Sequence, residues 1–299
     1  MVRFPTRAPS TARFALSLGM LLATPAIASA DEPPHVKRLG YDARVDVAVT
    51  ATGSLWLVAA ELLKADLVPE TCRWCYRRSN GDSALNFVDR SVRSSLKWRD
   101  TELAGGMSSV IAYAFMPLAS VGLPAAAAGY DGHLQYAPID TLLIAEATIL
   151  AADLNQLVKF IFVRERPYVH YLPHLPQGIQ GLGDSPSDAN LSFYSGHTNL
   201  AFAMAAASGT VAFLRSYRLA PMVLGTQLAA AFSVGYLRIA ADRHYLSDVM
   251  VGAVLGGLIG AAVPLLFHGP SSAQPTDPTG ANPQGLSLGA APASLTMPW

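Results

Sequence analysis

Three short polar clusters carry the residue types needed to hold an oxyanion and move a proton beside it. The first is Lys159-Phe-Ile-Phe-Val-Arg-Glu-Arg166-Pro167. Lys159 and Arg166 lie seven residues apart, two helical turns, so they share one face of a helix. Pro167 marks where that helix must end. The second cluster is Tyr194-Ser195-Gly196-His197, which opens the next apolar stretch. A helix N-terminus presents unpaired amides and the positive end of the dipole. There Ser195 can act as N-cap, Gly196 lets backbone approach an oxyanion closely, and His197 could protonate a leaving group. The third cluster holds Arg238, His244 and Asp248. The i, i+4 spacing of His244 and Asp248 lets the two side chains meet across one turn. A carboxylate on one imidazole nitrogen leaves the other as nucleophile or base. Arg238 adds a guanidinium fork for oxyanions.

Each cluster alone has an ordinary explanation. Lys159 and Arg166 could snorkel to a membrane interface, Ser195 could be a plain cap, and His244 with Asp248 a surface pair. Taken together, they resemble the type 2 phosphatidic acid phosphatase superfamily, which includes vanadium haloperoxidases and bacterial non-specific acid phosphatases. The chain reads Lys159-x6-Arg166-Pro167, then Ser195-Gly196-His197, then Arg238-x5-His244-x3-Asp248, matching that family's three-part signature in spacing and order. Its one departure is Tyr194, where the family has proline; that position shapes a turn and carries no chemistry.

The resemblance implies roles residue by residue. His244 would attack phosphorus and form a phosphohistidine. Asp248 would orient His244 and stabilise its charge. His197 would protonate the leaving alcohol and then activate water. Lys159, Arg166, Ser195, Gly196 and Arg238 would bind the phosphoryl oxygens. Neither metal nor cofactor is implied, because phosphoryl transfer rests mainly on positioning and charge stabilisation, which three cations and a helix N-terminus can supply.

The elements that must position these residues are apolar and helical. Val47–Leu63, Leu103–Ala128, Ile139–Val163, Thr198–Leu214, Leu219–Leu237 and Val249–Phe267 form six stretches between punctuated loops. Period-2 alternation is missing, which argues against strands. Pro117 and Pro124 interrupt the second stretch, and the first is the weakest, broken by Thr50, Thr52, Gly53, Ser54 and Glu61. The pattern implies an all-α fold, a six-helix bundle embedded in a membrane, with a phosphatase domain over 47–267. Of the 299 residues only 14% are charged and 51% are hydrophobic, against roughly 25% charged in soluble domains. Lys+Arg and Asp+Glu balance at 21 each, which argues against a nucleic-acid partner.

Residues 1–30 read as a cleaved signal peptide: Arg3, Arg7 and Arg13, an apolar run Phe14–Leu22, and Ala28-Ser29-Ala30 before Asp31. A polar segment covers 31–46, and a low-complexity tail rich in Pro, Gly and Ser covers 268–299, expected to be disordered. The connection 64–102 carries eight basic residues and Cys72-Arg73-Trp74-Cys75, either a local disulfide staple or two free thiols. His170 and His174, in a Pro-rich loop, are expected to face solvent.

The leading expectation is therefore a metal-independent phosphatase acting on a lipid phosphate or diphosphate, with membrane lipids as its surroundings and no identifiable obligatory protein partner. The site is expected to face the periplasm or exterior. A soluble exported acid phosphatase and a vanadate-dependent haloperoxidase are the alternatives. Export of residue 31 followed by six full crossings would put Lys159 and Arg166 inside the cell, so an exported site requires that Val47–Leu63 not cross fully or that the bundle be soluble.

Overall fold

The computed structural model describes residues 36–69, 71–80, 83–171 and 186–271. The leader at 1–30, His174 and the tail from 272 onward lie outside the described residues. Within them the chain is helical, with three isolated bridges and no strand.

Helix α1 (Ala43–Leu62) starts before the expected Val47, because the Asp42 carboxylate caps it, accepting from Arg44 N at 3.0 Å and Val45 N at 3.4 Å. Two short helices, α2 (Lys64–Leu67) and α3 (Phe87–Leu96), occupy the connection 64–102. Helix α4 (Thr101–Val110) continues through a π-helical turn at Ile111–Phe115 into α5 (Met116–Tyr130). Pro117 was expected to break this stretch. Proline has no amide for the carbonyl four residues back and crowds it, and the wider π turn lies just before it, so the rod continues.

Helix α6 (Ala137–Phe162) is followed by α7 (Pro167–His170), a 3-10 segment Pro186–Asn190, α8 (Gly196–Arg215), α9 (Ala220–Ala240) and α10 (Leu246–Phe267). The helices thus outnumber the six read from the sequence, the additional ones being short and lying in connections.

Helix α8 is the axis, packed by α10, α9, α6 and α5. Its contact with α10 depends on Gly252, Gly256 and Gly260. A Cβ at Gly256 would stand 2.3 Å from the Asn199 carbonyl oxygen, and one at Gly260 2.3 Å from that of Ala203. Small residues let the two backbones touch, which fixes the start of α10 beside the start of α8.

Among the described residues, four helical stretches are long and apolar enough to cross a membrane: Ala43–Leu62, Thr101–Tyr130, Ala220–Ala240 and Leu246–Phe267. The first was read as the weakest candidate, and α8, read as one of the uncharged spans, is not among them. The difference is where polarity goes. Thr198, Asn199 and Ser208 of α8 are buried inside the bundle. Leu55, Val58, Leu62, Leu118, Met222, Phe232, Met250 and Leu258 are exposed on the outer helices. The charges of α6 also turn inward: Asp140 accepts from Arg215 Nε and from the Tyr217 hydroxyl, each at 2.7 Å.

Candidate active site

The three clusters converge at one end of the bundle. Lys159 lies in the last turn of α6, Gly196 and His197 open α8, Arg238 lies near the end of α9, and His244 occupies the turn before α10. Arg166 was expected to share a helix face with Lys159, but α6 ends at Phe162 and Arg166 is the extended N-cap of α7, which Pro167 opens. Together with Arg166, these side chains and the Gly196 backbone still line one cavity of about 520 Å³. Ser195 and Asp248 stand behind its wall, each fully buried.

His244 is 2% exposed. Its Nδ1 lies 2.8 Å from the Ser192 carbonyl. A carbonyl can only accept, so Nδ1 carries the proton and Nε2 keeps a lone pair. Burial, and then the positive fields of Arg166, Arg238 and Lys159, hold this imidazole well below its ordinary pKa. It is therefore neutral, and nucleophilic, near pH 7.

Asp248 does not hydrogen-bond His244 directly: its Oδ2 is 3.8 Å from Nδ1. The carboxylate instead accepts from the Ser192 hydroxyl at 2.6 Å, from Tyr245 N at 2.9 Å and from Arg164 Nη1. Asp248 thus holds Ser192, whose carbonyl holds His244, and the i, i+4 spacing works through one intermediary.

Arg164 has no place in the spaced signature, yet it anchors this wall. It is 1% exposed. Besides Asp248, it donates from Nη1 to Ser247 Oγ at 2.9 Å and from Nη2 to Asp89 Oδ2 at 3.0 Å. Its guanidinium lies 4.5 Å from the ring centroids of both Trp74 and Tyr245. Val163, with φ of 44°, ends α6 in the left-handed region and turns the chain toward this pocket. Trp74 is held by the disulfide Cys72–Cys75, and Asp89 comes from α3. The basic connection therefore builds the back of the site. Burial pushes the Asp89 carboxyl up, but donors from Ser247 and Asn86 and the charge of Arg164 outweigh it and hold it below the ordinary carboxylate range.

Around the cavity, the Ser195 hydroxyl pairs with Thr198 Oγ1 at 2.9 Å and makes no capping bond to the α8 backbone, unlike the expected cap. A Cβ on Gly196 would stand 2.9 Å from both Lys159 Nζ and Asn155 Oδ1, so glycine is what admits these groups to the helix start. His197 Nε2 is 3.2 Å from Ser109 Oγ, and its Nδ1 is 3.4 Å from the Tyr113 hydroxyl. Arg238 donates to Ser108 Oγ at 3.2 Å. The buried Nε atoms of Arg166 and Arg238 have no hydrogen-bond partner among the described residues. Such donors suit an oxyanion.

Sequence reasoning missed Arg164, Ser192, Ser109, Tyr113 and the rim pair Lys64–Asp188, 3.2 Å apart. Asn155, which donates to the Tyr194 carbonyl at 2.8 Å, was readable, since it precedes Lys159 by one helical turn on the same face. Burial pushes the Asp188 carboxyl up, while Arg166 and Lys64 outweigh it and keep it below its usual value. His170 is buried, not solvent-facing: its Nδ1 is 3.0 Å from Glu165 Oε2 and its Nε2 2.9 Å from Ser83 Oγ.

Residues 140–270 match the family model of the PAP2 superfamily, a range that contains all three clusters. No curated protein matches the chain. Among solved structures, it is similar to the crystal structure of the first transmembrane PAP2 type phosphatidylglycerolphosphate phosphatase from Bacillus subtilis. The identity is 20%, over 71% of this chain and 93% of that one, with a TM-score of 0.44. A TM-score at that level carries neither fold nor substrate from one chain to the other.

Proposed function

Residues 140–270 belong to the PAP2 superfamily, and from that premise we propose that this phosphatase is membrane-embedded and hydrolyses a lipid phosphate or diphosphate through a phosphohistidine intermediate, without a catalytic metal. The observation that carries the proposal is the convergence of Lys159, Arg166 and Arg238 with the start of α8 and two histidines around one cavity.

In the first step, the Nε2 lone pair of His244 attacks phosphorus in line with the ester oxygen. The Ser192 carbonyl, held through Asp248, fixes the ring and takes up part of the charge as the imidazole becomes cationic. The three cations and the Gly196 amide meet the charge on the equatorial oxygens. His197, which takes up a proton once the phosphate's negative charge offsets the neighbouring cations, donates that proton to the departing alkoxide. In the second step, His197 takes a proton from water, the hydroxide attacks phosphorus, and the P–N bond breaks, returning the electron pair to His244.

A lipid substrate is supported by the four apolar helices and by Leu57 of α1 and Leu200 of α8, which line the cavity beside its charged floor. An active end on the exported side is supported by the Cys72–Cys75 disulfide, which packs through Trp74 against Arg164 at that end. Disulfides persist in oxidising compartments. Since α1 is long enough to cross, this orientation puts the Asp42 end of α1 on the inner side.

The test is release of inorganic phosphate from lipid phosphates and from soluble phosphomonoesters by purified protein. We expect lipid substrates to be preferred and His244→Ala to lose several orders of magnitude in kcat. Retained turnover in His244→Ala would overturn the mechanism, and preference for soluble esters would overturn the lipid assignment.

A further inference from the structure

The end of the bundle opposite the cavity holds three chemistry-bearing side chains that phosphoryl transfer does not use. Asp46 lies in the first turn of α1, Glu146 within α6, and His268 directly after α10. Glu146 precedes Lys159 along α6 by roughly 20 Å at the usual helical rise. The three residues are 5%, 7% and 3% exposed. One ligand atom from each lies within 4.8 Å of the other two. His268 Nε2 is 3.4 Å from Glu146 Oε2, a separation suited to two donors on one ion whose bonds are about 2.0–2.2 Å.

Hydrogen bonding and charge both leave this cluster unbalanced. His268 Nδ1 lies 3.2 Å from the Gly40 carbonyl, so Nδ1 carries a proton and a neutral ring presents its Nε2 lone pair to the carboxylates. Asp46 Oδ2, Glu146 Oε2 and His268 Nε2 are all buried without a hydrogen-bond partner. Three acceptors therefore face one another with no donor between them, an arrangement that burial makes costly. Among the described residues, neither carboxylate pairs with a lysine or arginine. Protonating His268 would still leave one uncompensated negative charge, whereas a divalent cation cancels both. A carbonyl on the far ring nitrogen is also the usual partner of a metal-bound histidine, since it fixes the tautomer.

We propose that Asp46, Glu146 and His268 bind one divalent first-row transition-metal cation of the Zn²⁺ class, which clamps α1 and α10 to α6. Imidazole with two carboxylates favours such an ion over Mg²⁺ or Ca²⁺, which prefer all-oxygen sets. The backbone already draws these chain segments together: Gly40 N donates to the Gly269 carbonyl at 3.0 Å and Ser271 N to the Arg38 carbonyl at 2.9 Å. The ion would complete a tie between the first and last long helices, remote from the phosphoryl chemistry.

To test this, full-length protein without a histidine tag is purified in detergent, stripped with chelator, and incubated with Zn²⁺, Co²⁺ or Mg²⁺. Bound metal per chain after desalting and the melting temperature are then measured. We expect close to one Zn²⁺ or Co²⁺ per chain and no retained Mg²⁺. Zn²⁺ at about 100 times its dissociation constant should raise the melting temperature by roughly 5–10 °C. Glu146→Gln and, independently, His268→Gln should lose both the metal and the shift. If the cluster binds no cation, Glu146→Gln simply removes a stranded charge and melts at or above the wild type in every condition. That result, equal metal content in wild type and variants, or a wild-type melting curve unmoved by Zn²⁺, would overturn the site.

Discussion

Replacing Arg164 with methionine should destabilise the protein more than replacing any cavity cation, although Arg164 lines no part of the cavity. The guanidinium is 1% exposed and serves two buried carboxylates, Asp89 at 3.0 Å and Asp248. Methionine fills a similar volume but leaves both charges without their cation. Asp89 keeps donors from Ser247 and Asn86, and Asp248 keeps Ser192 and Tyr245, so neither is fully stranded. Breaking a buried pair by removing one partner costs about 3–5 kcal/mol. For a domain of this size, that corresponds to a fall in melting temperature of roughly 6–20 °C. Lysine should rescue only part of this, because one ammonium cannot span two carboxylates as the fork does. Thermal unfolding in detergent, followed by tryptophan fluorescence or circular dichroism, measures the loss. The diagnostic variant is Arg164→Met combined with Asp248→Asn. If the loss comes from a stranded charge, the second change should recover part of it, although Asp248→Asn alone is destabilising. A single variant melting within about 2 °C of wild type, or a double variant whose losses merely add, would refute the electrostatic account.

The lowered pKa of His244 predicts that kcat/KM keeps its value as pH falls past 6.5, the ordinary histidine value, and declines only in more acidic solution as the nucleophile takes up its proton. Arg166→Gln removes one of the charges responsible and should move that acid limb upward; a wild-type limb at or above pH 6.5 would count against it. For orientation, Arg44→Cys places a thiol on the exposed N-terminal end of α1 while the native cysteines are paired. An impermeant maleimide should leave it unlabelled in intact cells and label it after permeabilisation, and labelling of intact cells would place the active end inside.

The long helices were legible because burial in protein and burial in a bilayer both demand uncharged stretches of one length. That signal fails for helices held by other forces. Helix α3 is short and charged, and it is built by the Asn86 cap and by Asp89 turning inward to Arg164. The same signal also conflates two fates. Thr198–Leu214 carries no charge and Val47–Leu63 only Glu61. They differ in where their polar atoms go, and only packing around α8 reveals that its hydroxyls and amide are hidden while the outer side chains of α1 are exposed.

The site was legible where function depends on side chains at helical spacing, and opaque where it depends on backbone or on distant charge. Lys159, His197, Arg238 and His244 reach one cavity because helix ends bring them together, and Arg166 joins them from beyond the left-handed turn at Val163, not from the helical period that its spacing to Lys159 suggested. The atom that holds His244 is the carbonyl of Ser192, and any residue type offers a carbonyl. Arg164 follows the left-handed turn at Val163, so no helical period relates it to Lys159 or Arg166, and its partners come from α3 and the start of α10. Asp46, Glu146 and His268 likewise share neither helix nor motif. Spacing rules therefore find groups that must point at a common ligand, while the counter-charges that keep those groups neutral, charged or oriented are chosen by the fold. In this protein the second set supports the first: Arg164 holds Asp248, Asp248 holds Ser192, and the Ser192 carbonyl orients the His244 ring, while burial and the charges of Arg166, Arg238 and Lys159 keep that ring neutral.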